Sequence, residues 1–535
     1  MGYFLHRNNF SFGNHRINGR VFFGIFFSIF ALHSLHAQPI SLQAGRMKSL
    51  KRDGKTVQWL KENVRFEQAG SNVFCDEAEY DPQTQDLLGR GNIKITNPDG
   101  AIVTGKSLEY NNATHIAKVI GNVKLIDGTM ELSTPWIEYN TQTKVGWYGA
   151  GGNIIDKETT LSAKSGSYDP NKKTLFFKTN VVLTTPEYTV KTDTLQYRTD
   201  IKRAQFFAQT QLDYQNKIVV FQRGSYLTDA QKGEFFGRVA LFDQGKTVVC
   251  DTLYFNKISQ LGKAHGNVFI QDSIDQWKVW GKHAQYDGLA KSIKVWNQAL
   301  AYQGDEKKPF KLKADTLDYN SDSAKPVALR ATFNVAFSQE NTVGKCNILT
   351  SKRSDSTFYF SGKPVLYDSL SRVSGDSMEM KVVAQKVKEL KTFKHGFVAI
   401  REDSLHFSQI QGDSIHQWMD ANQKMEQVRV TGDAQSLYFL RNADTLESAN
   451  LVSCKSLKMR FQQGKIDQIT FYEKPVGTLY PIDQLPAADS KLKGFVWDVQ
   501  NKPTEKLFLP PHTVTIPELP YPKGEKNKKK SKKSK

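Results

Sequence analysis

The amino-acid sequence predicts an all-β protein, a long stack of antiparallel strands built from two-strand repeats of about 29 residues. Three observations carry that expectation. A tyrosine recurs on a fixed interval: Tyr80, Tyr110, Tyr139, Tyr168, Tyr197 and Tyr226 lie 29 or 30 residues apart, and Phe255, Tyr286 and Tyr319 continue the series at steps of 29, 31 and 33. A Gly-Asn or Asn-Val step keeps the same interval, in Asn63-Val64, Gly91-Asn92, Gly121-Asn122, Gly152-Asn153, Asn180-Val181, Gly237-Arg238-Val239 and Gly266-Asn267. Around these markers apolar and polar residues alternate, as in "HIAKVIGNVKLI" (115–126), where Ala117, Val119, Gly121, Val123 and Leu125 share one face.

Each part of a repeat follows from local chemistry. "AIVTGKSLEY" (101–110) is one strand, "NNAT" a turn, 115–126 the second strand and "DGT" the next turn. Asn and Asp-Gly accept the positive φ that tight hairpins need, so consecutive strands pair antiparallel. Roughly 24 strands at about 4.8 Å each give a stack on the order of 110 Å long. "DSMEMKVVAQKVKELKTF" (376–393) could be read as a helix, but its place in the repeat predicts a strand. Glycine in mid-strand marks a bend. Bends are therefore predicted at Gly91, Gly121, Gly152, Gly237 and Gly266. They fold the sheet over into two walls, a V-shaped structure with an apolar crease lined by Ile93, Ile95, Val123, Leu125, Val239, Leu241, Val268 and Ile270. The alternative is a β-solenoid whose interior is filled by its own side chains.

The chain ends have a different composition. Arg20 is followed by the apolar run "VFFGIFFSIFAL" (21–32), too short to span a bilayer and of signal-peptide length, with a cleavage site after Ala37. An uncleaved signal anchor is the other reading. The expected organisation is a signal peptide (1–37), a leader (38–54), the repeat region (55–300), its divergent continuation (301–475), a Pro-rich segment (476–522) and a Lys-rich tail (523–535). The tail reads as disordered and cationic, in contact with anionic polymers or simply solubilising.

Of the net charge of +19, the first 37 residues supply +3 and residues 523–535 supply +7, leaving +9 on the body. That balance lacks the concentrated basic face of a nucleic-acid binder. Cys75, Cys250, Cys346 and Cys454 match no metal or redox spacing, and both disulfides and buried free thiols stay open. The histidines are scattered, GxSxG and HExxH are absent, and Glu109 and Glu138 are not repeated as a carboxylate pair would be. No enzyme activity, catalytic residue, cofactor or metal is expected.

The recurring G-N-[VI]-x-[LI], with the "AEYD" and "LEYN" elements and the stretch "ENVRFEQAGSNVFCDEAEYDPQTQDLLGRGNIKI" (62–95), resembles the OstA-like family. That family includes LptA, the periplasmic bridge protein of lipopolysaccharide transport. The resemblance is clear over about 55–290 and looser to about 475, where Asp193-Thr194-Leu195, Asp251-Thr252-Leu253, Asp315-Thr316-Leu317, Asp376-Ser377-Met378 and Asp413-Ser414-Ile415 continue as a further marker. It implies an elongated β-jellyroll, folded like a taco, that holds lipid acyl chains in its crease, and a periplasmic place in outer-membrane biogenesis. The implied partners are lipopolysaccharide or a related glycolipid and other jellyroll proteins joined through edge strands. The chain is longer than the bridge proteins of the family and ends without the closing strand of a membrane barrel. A structural scaffold that links other jellyrolls without binding lipid is the alternative function.

Overall fold

The structure, a computed structural model, describes residues 41–521 apart from 53, 69, 275, 305, 323, 353–355, 384–385, 443–444 and 463–464. The expected signal peptide and Lys-rich tail lie outside the described residues. About 70% of the chain is strand and 2% helix, the all-β jellyroll-like composition that the alternation predicts. Its contacts divide it into two compact units. The described part of one comprises 41–244, 252–258 and 516–521; the other comprises 245–251 and 259–515.

In the first unit, Ile102–Asn111 pairs antiparallel with Ile116–Asp127, which pairs with Met130–Asn140, and the meander continues in this way. The interval of about 29 residues has a physical origin at one rim. Each turn there holds a left-handed residue, His115, Lys173 or Lys202, whose carbonyl accepts the backbone N–H of the next turn: Thr141 at 2.8 Å, Thr199 and Thr228 at 2.9 Å. Behind this rim the recurrent tyrosines Tyr139, Tyr168 and Tyr197 are buried. Among the described residues there are 36 strands rather than the expected 24 or so, because several passes are interrupted in the middle, as Gly146–Tyr148 and Gly152–Asp156, or Arg203–Phe206 and Thr210–Tyr214.

The second unit repeats the pattern with longer strands, among them Ser292–Gln303, Phe310–Asn320 and Val327–Gln339. The stretch at 376–393 forms the strands Ser377–Val383 and Lys386–Arg401, so the repeat position and not the helix-like spacing decides it. After the last strand, Val476–Pro481, the chain lies along the outer face of the sheet through three short 3-10 turns. Leu492, Phe495 and Trp497 pack on a cluster that includes Phe397, Leu437, Phe439 and Ala449. Arg372 Nε (2.7 Å) and Tyr367 Oη (3.1 Å) donate to Asp498 Oδ1. Lys345 Nζ donates to the Asn501 carbonyl (3.1 Å), Lys313 Nζ to that of Leu507 (3.0 Å), and Tyr302 Oη to that of Phe508. The Pro-rich segment is thus an ordered strap over this unit. Within the first unit, the Tyr521 N–H donates to the buried Gln211 Oε1 at 3.1 Å.

Candidate functional site

The site begins at the bend. In Ile116–Asp127, Gly121 (φ 90°) and Asn122 (φ 51°) are both left-handed, and the pairing register shifts between Ile120 and Val123. Two residues are set against one on the neighbouring strand, a β-bulge that turns the strand while keeping Val119 and Val123 on the same inner side. Both are buried. Glycine is only one way to make this corner. Glu62-Asn63, Thr179-Asn180, Asn297-Gln298, Phe333-Asn334 and Lys394-His395 make it with no glycine. Left-handed side chains cost about 1 kcal/mol or more each, so something must hold them there.

At several corners the recurrent aspartate does so. Asn92 Nδ2 donates to Asp76 Oδ2 (2.8 Å), Asn267 to Asp251 (2.9 Å) and Asn334 to Asp315 (2.8 Å), in each case from the corner to the strand before it. His395 Nδ1 meets Asp376 Oδ2 at 3.1 Å in the equivalent place. The Asp-Thr/Ser marker read from the sequence is therefore the second half of several corners, with a glycine, as at Gly266-Asn267, or without one, as at Phe333-Asn334. The predicted bends at Gly91, Gly121, Gly237 and Gly266 are left-handed. The one expected at Gly152 falls a residue earlier, at Gly151 (φ 94°), because a Gly-Gly pair leaves two choices and the Tyr148 ring occupies the space beside Gly152.

The residue before the corner aspartate, or before the lysine that takes its place in Gly105-Lys106 and Gly281-Lys282, is small and lies on the inner side. Gly105 faces Ile93, Gly281 faces Val268, and Ala314 faces Ala299. A Cβ on Gly105 would stand 2.4 Å from Val119 Cγ1. Cys75, Cys346 and Cys454 occupy this position opposite Val64, Val335 and Ala434, and Cys250 precedes Asp251 in the same way. None of the four is in a disulfide. Burial pushes Cys75 up to about 11 and Cys346 up to about 12, so neither is a thiolate at neutral pH. Their odd spacing reflects steric demand at corners, a signal visible only once the corner is known.

Inside the fold, Ile93, Ile95, Val123, Leu125, Val239 and Val268 are buried and lie just beyond their corners on one wall. Leu241 and Ile270 are half-buried, and their neighbours Ala240 and Phe269 are buried instead. Leu108, Val119, Ile137 and Tyr139 are buried on the other wall, where Val119 pairs with Leu108 and Ile137. The space left among Ile137, Tyr148, Ile154, Tyr168, Leu175 and Phe177 is about 10 Å³, room for about one water. Among the described residues no three His, Cys, Asp or Glu side chains converge as a metal site would need. Among them, too, no helix is long and apolar enough to cross a membrane.

Residues 40–193 match the family described as OstA-like protein, so this part of the chain is OstA-like. No curated protein matches. Among solved structures, one match is the crystal structure of LptH, described as the LptA-homologous periplasmic component of the lipopolysaccharide transport device of Pseudomonas aeruginosa. It shares 17% identity, covering 20% of this chain and 80% of that one, with a TM-score of 0.19.

Proposed function

We propose that the chain is a non-catalytic periplasmic protein that carries lipopolysaccharide, or a related glycolipid, towards the outer membrane with its acyl chains held in the apolar crease. The observation that supports this most directly is the corner. Repeated at each pass, it presents an apolar inner face on both halves of the strand, including Val123, Leu125, Val239 and Val268. Each methylene moved out of water contributes about 0.8 kcal/mol, so a twelve-carbon chain needs such a lining to cross an aqueous compartment. Repetition supplies many near-equivalent positions, which suits sliding over trapping. Small-molecule sites usually have about 300–1,000 Å³. Where the interior is packed as it is among Ile137, Tyr148 and Phe177, the walls therefore have to part when a chain enters.

A photoreactive benzophenone side chain at Val123, which is 1% exposed, should capture lipopolysaccharide in cells, and one at the exposed Lys124 should not. A folded, exported protein that captures no lipid from either position would sink the carrier reading. The scaffold reading would then stand, and it has its own support. The strand Arg46–Arg52 is exposed along its whole length, with Met47 at 48% and Leu50 at 42%, and it is described as pairing only with Lys55–Gln68. Its free edge can accept a partner strand.

A further inference from the structure

In the first unit the two rims of the crease meet. Glu187 lies in the turn that follows Thr174–Thr184, beyond the corner; Lys257 lies in the opposite set of turns, where its N–H donates to the Gln231 carbonyl. Lys257 Nζ stands 3.8 Å from Glu187 Oε2, with the two side chains 13% and 34% exposed. That is an ion pair but too long for a hydrogen bond, and both atoms are buried without one. The ammonium also lies 5.4 Å from the centre of the Tyr214 ring. Tyr188, Tyr214 and Tyr226 surround the carboxylate closely enough to feel its charge, and burial raises all three phenols, Tyr226 to about 12, so they stay protonated donors. Burial also holds the Lys257 ammonium below the ordinary lysine range, with Glu187 opposing.

We propose that this pair is an anion-exchanging latch at the crease mouth: Lys257 is the binding site for the phosphate headgroup of a single-chain or multi-chain amphiphile, and Glu187 is the internal anion that holds the site until the headgroup displaces it. The latch rests on the crease being the lipid site. The argument is one of unmet hydrogen bonding. An ammonium taken largely out of water has three donors and here spends none of them on its counter-ion. A phosphate oxygen at ordinary charge-assisted distance satisfies them better than a carboxylate held at 3.8 Å. The nearby phenols can donate to the same anion. Exchange frees Glu187 from Lys257 and so removes the tie between the rims, at the place where the apolar tail must pass between them.

The test is calorimetric titration of the full chain with dodecyl phosphate and with dodecyl maltoside, each below its micelle concentration. The wild type should bind the phosphate more tightly. Lys257→Met should abolish that preference while leaving dodecyl maltoside binding unchanged or faster. Glu187→Gln should strengthen phosphate binding about two- to fivefold, the equivalent of removing a partly exposed ion pair. Equal binding of the two probes, or a preference that survives Lys257→Met, overturns the latch while the crease stands. Binding of neither overturns both. Unchanged hydrogen exchange in the strands Ile116–Asp127 and Met130–Asn140 shows that the variants remain folded, while exchange at 185–188 and 257–260 should rise in Lys257→Met.

Discussion

Removing Asp498 should release the C-terminal strap. Its carboxylate accepts from Arg372 and Tyr367, and Arg372 is only 8% exposed while Asp498 is 20% exposed. Asp498→Ala leaves the guanidinium with Ser374 Oγ at 2.8 Å but without its counter-charge. Breaking one side of a buried pair costs about 3–5 kcal/mol, and the partial exposure of Asp498 brings the expected figure to about 2–4 kcal/mol. On a locally opening segment, that corresponds to a population of released strap raised about 30- to several-hundred-fold. Native-state proteolysis follows that population directly when opening is fast compared with cleavage. Cleavage of the variant should therefore map to 482–515, at a rate raised by that factor, with the strands intact. Replacing both charges, as Arg372→Met with Asp498→Leu, should restore much of the protection, because an apolar pair fills the space with no orphaned charge. The pair should also fail in acid. Burial pushes the Asp498 carboxyl up, but the Arg372 bond and charge and the Tyr367 bond reverse this and hold it below its ordinary 3.8. Its contribution is thus complete above about pH 4 and lost as pH falls through the lowered value. A less than threefold rise in cleavage for Asp498→Ala, or cuts spread over the sheet, would refute the reasoning.

Two further predictions concern the corner. Gly105→Val should lower stability by about 1–3 kcal/mol, read by denaturant midpoint, since even its Cβ meets Val119 Cγ1 at 2.4 Å and the neighbouring strand cannot retreat without breaking its ladder. The thiols of Cys75 and Cys346, raised by burial to about 11 and about 12, should stay unreactive to a disulfide reagent at pH 8 until the protein is unfolded, and reductant should leave the melting temperature unchanged.

The repeat and its antiparallel pairing were legible because they rest on local chemistry. Asn111, for example, accepts the Thr114 N–H at 2.9 Å and makes its own turn. The bend was legible as a glycine, yet what the fold requires is a left-handed pair, and Phe333-Asn334 meets that requirement through Asp315. A contact across strands 19 residues apart has no local signature. It becomes readable only when the Asp-Thr-Leu marker and the Asn-Val marker are taken as one motif instead of two.

The lining of the crease shows why alternation gives the near wall better than the far one. In Ile116–Asp127 the outer positions Lys124 and Ile126 face solvent, so burial alternates along the strand. In Val327–Gln339 the four residues Val335, Ala336, Phe337 and Ser338 are all buried, because the sheet there has an inside and a covered outside. The strap supplies the cover. Lys313 and Lys345, which flank Ala336 in register, both donate to strap carbonyls. Such a strand carries no period of two, and a segment more than 150 residues away in sequence is the cause. The same reasoning accounts for Ala240 in the first unit. It pairs with Val220, which pairs with Gln211, the residue that Tyr521 covers. The buried apolar residues Ala336 and Ala240 on the outer face are therefore the footprint of the C-terminal segment. If the strap were instead a passive tail, these outer positions would have been free to remain polar, as Lys124 is.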